Sequence, residues 1–288
     1  GSPPINMSIS ELQEELRIYV ENAKRAAHFI RKELRENPKI AIILGSGLGD
    51  ISKSLDKAVT VAYEEIPGFP VSTAPGHKGT LEFGKVLHHD VMLMNGRLHF
   101  YEGYSMRSIT FPIRVMQELG IEVLIITNAS GGLNPDFEVG RIMLIKDIIN
   151  FMGDNPLIGP NVDEWGPRFP DMSEPFDTEL LEKTKQAAKE IGIGLYDGIY
   201  VGVAGPNFET PAELRMLRRF GADAVGMSTV PEVIAARHAG IKVLGMAAIS
   251  DKAVPDDLKP LTAEEVIEAA GKTGKDISRL ILKTLEKI

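Results

Sequence analysis

The segment Lys39–Gly49, KIAIILGSGLG, decides the fold of this chain. Its five apolar residues, Ile40–Leu44, run directly into Ser46, which stands between two glycines. An apolar run that is too short for a helix and is closed by glycine predicts a buried parallel strand. The small residues behind the strand leave backbone N–H groups uncovered where the chain turns into a helix. The segment therefore also predicts an anion-binding turn.

A dinucleotide-binding fingerprint is the competing interpretation of the same glycines. The pattern G-x-G-x-x-G, started at Gly45, needs a third glycine at position 50, and Asp50 stands there. The sequence therefore disfavours a nicotinamide or flavin dinucleotide as the ligand of this turn.

Around this strand, helical and strand patterns alternate along the chain. A capping box at Ser8 and Glu11 opens a long first helix that ends before Pro38, and the segments LEFGKVL and DVMLMNG predict a hairpin. Since no linker or repeat interrupts the pattern, we expect residues 8–288 to form one α/β domain. Its sheet should be mixed, largely parallel and flanked by helices. Residues 1–7 are interpreted as a probable cloning scar followed by the start methionine.

Composition excludes several classes of function. The 288 residues include no cysteine, so neither disulfides nor thiolate metal sites are expected, and the histidines lack the spacing of a metal site. A formal net charge of −8 argues against a nucleic-acid partner, which normally requires a basic face. No apolar segment approaches the length of a membrane span, which predicts a cytoplasmic protein with no membrane partner.

Polar clusters follow several predicted strands. They are Gly45–Gly47, Thr127–Gly132, Met227–Thr229 and Ser250–Asp251, joined by the segments PGHKG around His77 and NGRLHFYEGY from Asn95. Ligands bind at the carboxyl ends of strands in open α/β sheets. Arginine, histidine, serine and exposed backbone N–H groups together suit a phosphate dianion, so we expect one phosphate site there.

The ordered set of motifs LGSGLG, PGHKG, GRLHFYEGY, TNASGGLNP, GPRFPDMS, GPNFETPAE and GMSTVPEV resembles the trimeric purine nucleoside phosphorylase family, which includes the methylthioadenosine phosphorylases. The resemblance covers nearly everything from about residue 10 to the C-terminus. It implies a nucleoside phosphorylase-like fold, a homotrimer, and reversible transfer of ribosyl or deoxyribosyl from a purine to inorganic phosphate. No cofactor or metal is implied, since phosphate is the co-substrate.

The resemblance also implies roles for individual residues. Phosphate would be bound by Ser46, His77, Arg97, His99, the backbone of Ala129, and Ser228. The ribose would be held by Tyr101, Met227, the segment at Ala263, and Trp165, the last reaching across from an adjacent subunit. The purine would be bound by Phe208, Glu209 and Asp251. Catalysis would depend on His99, Glu209 and Asp251.

Two departures from the family pattern leave the substrate open. The family's 6-oxopurine enzymes carry asparagine where this chain has Asp251, and histidine where it has Ala263. A methylthioadenosine phosphorylase is therefore the alternative enzyme. A nucleoside-binding protein without turnover is the alternative of another class, although Arg97 and His99 are both present. A calcium-dependent hydrolase is disfavoured, because an aspartate cluster near the N-terminus is missing.

Overall fold

The computed structural model describes residues 6–71, 74 and 78–288, without the side chains of residues 57 and 58. Six α-helices form in this part of the chain: α1 Ile9–Glu33, α2 Met106–Leu119, α3 Thr178–Ile191, α4 Pro211–Arg219, α5 Val230–His238 and α6 Ala263–Leu285. The nine strands are β1 Ile40–Leu44, β2 Asp56–Ala62, β3 Thr80–Val86, β4 His89–Asn95, β5 Val123–Gly132, β6 Ile142–Phe151, β7 Leu195–Val203, β8 Ala224–Gly226 and β9 Lys242–Lys252.

All nine strands belong to one mixed sheet in the order β2-β3-β4-β1-β5-β8-β7-β6-β9. Strand β9 also pairs with β5, so β5, β8, β7, β6 and β9 form a closed ring from which the other four strands extend. Parallel pairing joins β1 to β4 and β5, β5 to β9, β6 to β7, and β7 to β8. The predicted α/β class with a largely parallel sheet is confirmed, whereas the ring was not predicted.

Strand β1 is the predicted buried parallel strand. It lies between β4 and β5, parallel to both, and all five of its residues are buried. Successive side chains point to opposite faces of a strand. Ala41 and Ile43 accordingly join the core formed with α1, α2 and α5, while Ile42 and Leu44 join the core formed with α3 and α6.

The predicted first helix is α1, which is capped by Ser8 and ends before Pro38, and the predicted hairpin is β3 and β4. The turn behind β1 leads into a 3₁₀ helix, Gly49–Ser54. The sequence patterns did not predict strand β2. Strand β5 continues through its polar end, because β9 pairs with it as far as Gly132 and β8 pairs with Gly131 and Gly132. The division of the chain at residue 8 stays a prediction. No helix in the described ranges is long and apolar enough to cross a membrane.

The glycines around Ser46 are required by close backbone contacts. A Cβ on Gly45 would lie 2.7 Å from the Cα of Asn128, and a Cβ on Gly47 would lie 2.5 Å from the carbonyl oxygen of Ile267. Gly47 also has a φ of +76°, in the left-handed region. These two glycines let β1, β5 and α6 approach one another around the serine.

We predict that Gly45→Ala lowers the free energy of unfolding by about 1–3 kcal/mol, because the added methyl group must displace the backbone of β5. Gly271→Ala is the matched control, since its Cβ would meet nothing nearer than an oxygen at 3.7 Å and alanine favours the helix. Urea unfolding of both variants measures the difference. Equal stability of the two variants would contradict the assigned contact.

Candidate active site

A cavity of about 290 Å³ lies where the carboxyl ends of β1, β5 and β9 meet the beginning of α6. The structure brings together here most residues that the sequence singled out: Ser46, Arg97, His99, Tyr101, Ala129, Phe208, Glu209, Met227, Ser228, Asp251 and Ala263. His77 lies outside the described residues. Of the predicted site residues that are described, only Trp165 does not line this cavity.

Arg97 carries the positive charge at one end of the cavity. It is 2% exposed, and two hydrogen bonds orient its guanidinium group: Nη1 donates to the carbonyl oxygen of Thr127 at 2.7 Å, and Nη2 donates to Glu232 at 2.6 Å. A buried cation is costly unless it is paired and hydrogen-bonded. The two hydrogen bonds therefore offset the cost of burying the Arg97 guanidinium charge at this end of the cavity.

His99 lies beside Arg97 and is oriented by Glu102. The carboxylate of Glu102 accepts from the backbone N–H of His99 at 3.0 Å and lies 3.1 Å from its Nδ1. Burial lowers the pKa of His99, Glu102 opposes that shift, and Arg97 adds to it. The contact with Glu102 places a proton on Nδ1, so the Nε2 atom of the neutral ring is an acceptor. The ring also stacks on Tyr101, with centroids 4.7 Å apart.

The turn that carries Ser46 is tied to β5. The Gly45 N–H donates to the Thr127 hydroxyl at 3.0 Å, and that hydroxyl donates to the carbonyl oxygen of Ile43, also at 3.0 Å. The side chain and the carbonyl group of one threonine thus bind the serine turn and Arg97 respectively. The sequence placed both groups in one site, and the structure shows that Thr127 connects them.

Ser228 precedes a strained backbone at the start of α5. Thr229 has a φ of +69° and a ψ of −49°, and the Val230 N–H donates to the Ser228 carbonyl oxygen at 2.7 Å, which defines a γ-turn. Positive φ is costly for a β-branched residue and persists only where neighbouring groups enforce it. Here Asn128 donates to the Thr229 hydroxyl at 2.9 Å, and the Tyr200 hydroxyl donates to the Ser228 carbonyl oxygen at 3.2 Å.

Two carboxyl groups line the other part of the cavity. Burial raises the pKa of Glu209 to about 7, and Asp251 contributes to the shift. Burial also raises the pKa of Asp251, although the Ser250 hydroxyl donates to it at 2.9 Å. The pairing of β5 with β9 slips by one residue after Ser130, which sets Asp251 opposite Gly131. A Cβ at Gly131 would lie 3.1 Å from the Asp251 carboxylate, so glycine leaves the room that this side chain occupies.

The beginning of α6 supplies an apolar wall. Thr262 caps this helix by accepting from the Glu265 N–H at 3.2 Å. Ala263, Val266 and Ile267 from its first turns line the cavity. This wall offers no side-chain hydrogen bond to a ligand.

The structure does not favour the prediction that Trp165 reaches into another subunit, because its ring packs within its own chain. The tryptophan is 5% exposed and is enclosed by its own chain. Its Nε1 donates to Glu118 at 2.9 Å, the Arg114 guanidinium lies 4.9 Å from its ring centroid, and Tyr19 packs edge-on at 5.8 Å. The aromatic residue of the same loop that is left uncovered is Phe169, which is 87% exposed.

We predict that Trp165→Ala destabilises the fold by about 3–5 kcal/mol, as expected when a large buried ring is removed from a core. The loss should be visible in a dilute, dissociated sample, because the contacts lie within one chain. Thermal or urea unfolding at several protein concentrations measures it. A variant as stable as the parent would show that the ring is not part of this core.

Two acidic residues of the site had no role in the sequence interpretation. Glu102 stands in the motif NGRLHFYEGY, and its spacing from His99 carries no signal by itself. Glu232 stands three residues after Thr229 in STVPEV, a capping-box pattern that identifies a helix start. Its contact with Arg97 spans 135 residues of sequence, and no local pattern predicts such a contact.

The other histidines that the sequence assigned no role are not gathered in a ligand set. Ring nitrogens of His89 and His238 lie 2.9 Å from the Leu285 carbonyl oxygen and 3.0 Å from the Asn161 side-chain oxygen. No group of three or more His, Asp or Glu residues that could hold a metal ion occurs in residues 6–71, 74 and 78–288.

Comparison with known proteins agrees with this geometry. Residues 39–286 match the Phosphorylase superfamily. Purine nucleoside phosphorylase 1 of Bacillus subtilis is 52% identical over 258 residues, which cover 90% of this chain and 95% of that protein. Purine nucleoside phosphorylase of Bos taurus is 47% identical, over 91% of this chain and 93% of that protein.

Solved structures give the same result. The Schistosoma mansoni purine nucleoside phosphorylase in complex with adenosine superposes with a TM-score of 0.89 at 41% identity, over 93% of this chain and 97% of that chain. The same enzyme in complex with inosine gives a TM-score of 0.88 at 40% identity, over 93% and 96%. The chain therefore belongs to the phosphorylase superfamily and, within it, to the purine nucleoside phosphorylases, which are pentosyltransferases. The family and fold that the motifs predicted are confirmed.

Proposed function

We propose that this enzyme catalyses the reversible phosphorolysis of purine nucleosides, giving a free purine and ribose or deoxyribose 1-phosphate. The observation that carries the proposal is a single cavity with a fixed cation at one end and two carboxyl groups of raised pKa at the other. The cation suits phosphate and the carboxyl groups suit the edge of a purine. Inorganic phosphate is then the co-substrate, with no organic cofactor.

Cleavage of a glycosidic bond separates charge. The sugar becomes an oxocarbenium-like cation and the departing purine becomes negative, so stabilising both fragments lowers the barrier. In our proposal Arg97, His99, Ser46, Ser228 and the backbone of Ala129 hold phosphate beneath C1′. There the dianion stabilises the cation and then captures it, which requires no covalent enzyme intermediate. His77, whose role rests on the motif alone, completes this set.

The purine end supplies the other half of the reaction. Glu209 accepts from the N1–H of a 6-oxopurine, and Asp251, when protonated, donates to N7 as negative charge develops there. The exposed ring of Phe208 lies at the cavity and offers a stacking face for the base, while Tyr101 and Met227 lie along the ribose.

The decisive experiment follows purine release from inosine with and without phosphate. Turnover that ignores phosphate would favour a hydrolase, and tight nucleoside binding without turnover would favour a binding protein.

We predict that Arg97→Ala lowers kcat/KM for phosphate about ten- to a hundredfold or more, because a charge-assisted hydrogen bond is lost. Thermal stability should fall as well, since Glu232 is left buried without its cation. Raising phosphate should recover part of the rate. Arg141→Ala is the control, because that arginine lies at the surface with its side chain 42% exposed. An unchanged phosphate dependence in Arg97→Ala would remove this residue from the site.

Glu209 and Asp251 favour different purines. Ionised Glu209 pairs with the N1–H of hypoxanthine or guanine but meets only a lone pair at N1 of adenine. Protonated Glu209 donates to that lone pair, and neutral Asp251 donates to N7 while accepting from a 6-amino group. We therefore propose that inosine and guanosine are substrates and that adenosine is also cleaved. The related Schistosoma enzyme has been crystallised with inosine, with guanosine and with adenosine.

We predict that the ratio of kcat/KM for adenosine to that for inosine rises as the pH falls from about 8 to 6. The pKa of Glu209 is raised to about 7, so its neutral, donating form grows below that pH and its accepting form grows above it. Asp251→Asn should suppress adenosine selectively, because an amide NH2 turned to N7 and the 6-position suits a 6-oxo group but faces another donor in a 6-amino group. A ratio that is flat with pH and unchanged by Asp251→Asn would show that neither carboxyl group reads the 6-position.

A methylthioadenosine phosphorylase is the second candidate, and the apolar wall of α6 favours it. Ala263, Val266 and Ile267 cannot bind a 5′-hydroxyl through their side chains, whereas they suit a methylthio group. Comparing kcat/KM for methylthioadenosine with that for adenosine and inosine separates the two enzymes. Loss of several orders of magnitude on replacing the 5′-hydroxyl would exclude this candidate.

We propose that the enzyme is a homotrimer, as the family resemblance implies, and that Phe169 in place of Trp165 reaches the neighbouring site. Phe169 adjoins a shallow apolar depression that includes Leu157, Ile158 and Met172. Contiguous exposed apolar surface of this kind is typical of subunit interfaces. A cytoplasmic location stays a prediction.

We predict that Phe169→Ala raises the KM for inosine about ten- to a hundredfold, the value of burying a phenylalanine ring, and weakens the trimer. Phe220→Ala is the control, because Phe220 is 56% exposed and does not line the cavity. Sedimentation and steady-state kinetics measure both effects. A monomeric parent enzyme with full activity would contradict the proposed assembly.

A further inference from the structure

Glu232 is a buried carboxylate that the mechanism above leaves without a role in the reaction. It is 3% exposed and does not line the cavity, so it does not touch a substrate. Its Oε2 accepts two hydrogen bonds, from Arg97 Nη2 at 2.6 Å and from the Thr229 backbone N–H at 3.0 Å. One oxygen atom therefore contacts two segments that supply the proposed phosphate ligands Arg97 and Ser228.

Helix capping alone would explain one of these two bonds. The chain contains a matched case in α4, where Thr210 and Glu213 form the same capping box and the Thr210 N–H donates to Glu213 at 2.8 Å. Glu213 is exposed and pairs with no arginine in the described structure. The capping motif is thus shared by α4 and α5, while the contact with a buried cation belongs to α5 only.

The hydrogen bond from the Thr229 backbone N–H to Glu232 also restrains the strained backbone of Thr229. A threonine with a φ of +69° keeps that conformation only if its neighbours enforce it, and the bond from its N–H to Glu232 is one such restraint. Releasing it would let the γ-turn relax and carry Ser228 with it. Releasing Arg97 from the same oxygen would remove one of the contacts that orient its guanidinium group, while the contact with Thr127 would remain.

We propose that Glu232 is a positioning residue for phosphate, holding the Arg97 guanidinium and the Ser228 turn in register through these two hydrogen bonds. The inference rests on the proposed phosphorolysis. Hydrogen bonding is the operative property, since Oε1 is buried and has no hydrogen-bond partner in the described part of the chain. A glutamine can therefore place its carbonyl oxygen where Oε2 lies and keep both donors, whereas an aspartate keeps the charge and loses the reach.

Comparing Glu232→Asp with Glu232→Gln tests the proposed positioning role. Glu232→Asp is expected to raise the KM for phosphate about tenfold or more, the cost of losing a charge-assisted contact, with a much smaller effect on the KM for inosine. Glu232→Gln is expected to raise the phosphate KM several-fold less than Glu232→Asp does. Glu213→Asp shortens the matched capping residue and is expected to alter thermal stability only.

Phosphate-induced thermal stabilisation gives a second readout that does not depend on turnover. It should be smaller in Glu232→Asp than in Glu232→Gln. If Glu232→Asp does not fold, Thr229→Gly loosens the same turn without altering the carboxylate and should also raise the phosphate KM.

The positioning role is overturned if the aspartate variant, or Thr229→Gly in its place, keeps the parent phosphate KM. It is overturned equally if glutamine is as damaging as aspartate, since charge would then be the operative property. Failure of the proposed function shows separately, in a parent enzyme whose purine release ignores phosphate.

Discussion

Strand β5 is hydrogen-bonded to three other strands, and the site depends on that constraint. It pairs with β1 on one side, with β9 along its length, and with β8 at its end. A strand that has neighbours along both edges cannot shift its register without breaking them. Its polar end, Thr127–Gly132, stays paired with β9 and, at Gly131 and Gly132, with β8, and the serine turn, Arg97, the γ-turn and Asp251 all contact it.

The charge distribution follows from the same arrangement. The chain carries a net charge of −8, yet the phosphate end of its cavity needs a cation. Burying Arg97 is tolerated because Glu232 and a carbonyl oxygen already accept from it. The purine end is different, because burial there raises the pKa of Glu209 to about 7 and also raises the pKa of Asp251.

Sequence patterns predicted the elements that depend on interactions between residues close together in the sequence. The five apolar residues Ile40–Leu44 predicted strand β1, and the capping box at Ser8 predicted the start of α1, in agreement with the structure. The closing of the ring by β9 on β5 depends on pairing across more than a hundred residues, and no periodicity encodes it. The burial of Trp165 within its own chain was not predicted for the same reason. Its polar loop offers no local cover, and the cover comes from Tyr19 and Arg114, which are distant in sequence.

The two ends of the cavity differ in how freely they can change. Arg97, Thr127 and Glu232 are buried and joined by hydrogen bonds from Arg97 to the other two, so a substitution at any of them removes a partner from a buried polar group. Phe208, Glu209 and Ala263 lie on a loop and at a helix start, where they are partly exposed and contribute little to the core. Substrate choice can therefore vary at the purine and 5′ ends without disturbing the fold, while the phosphate end stays fixed. The departure at Ala263 falls at this variable end, where a change of substrate costs the fold least.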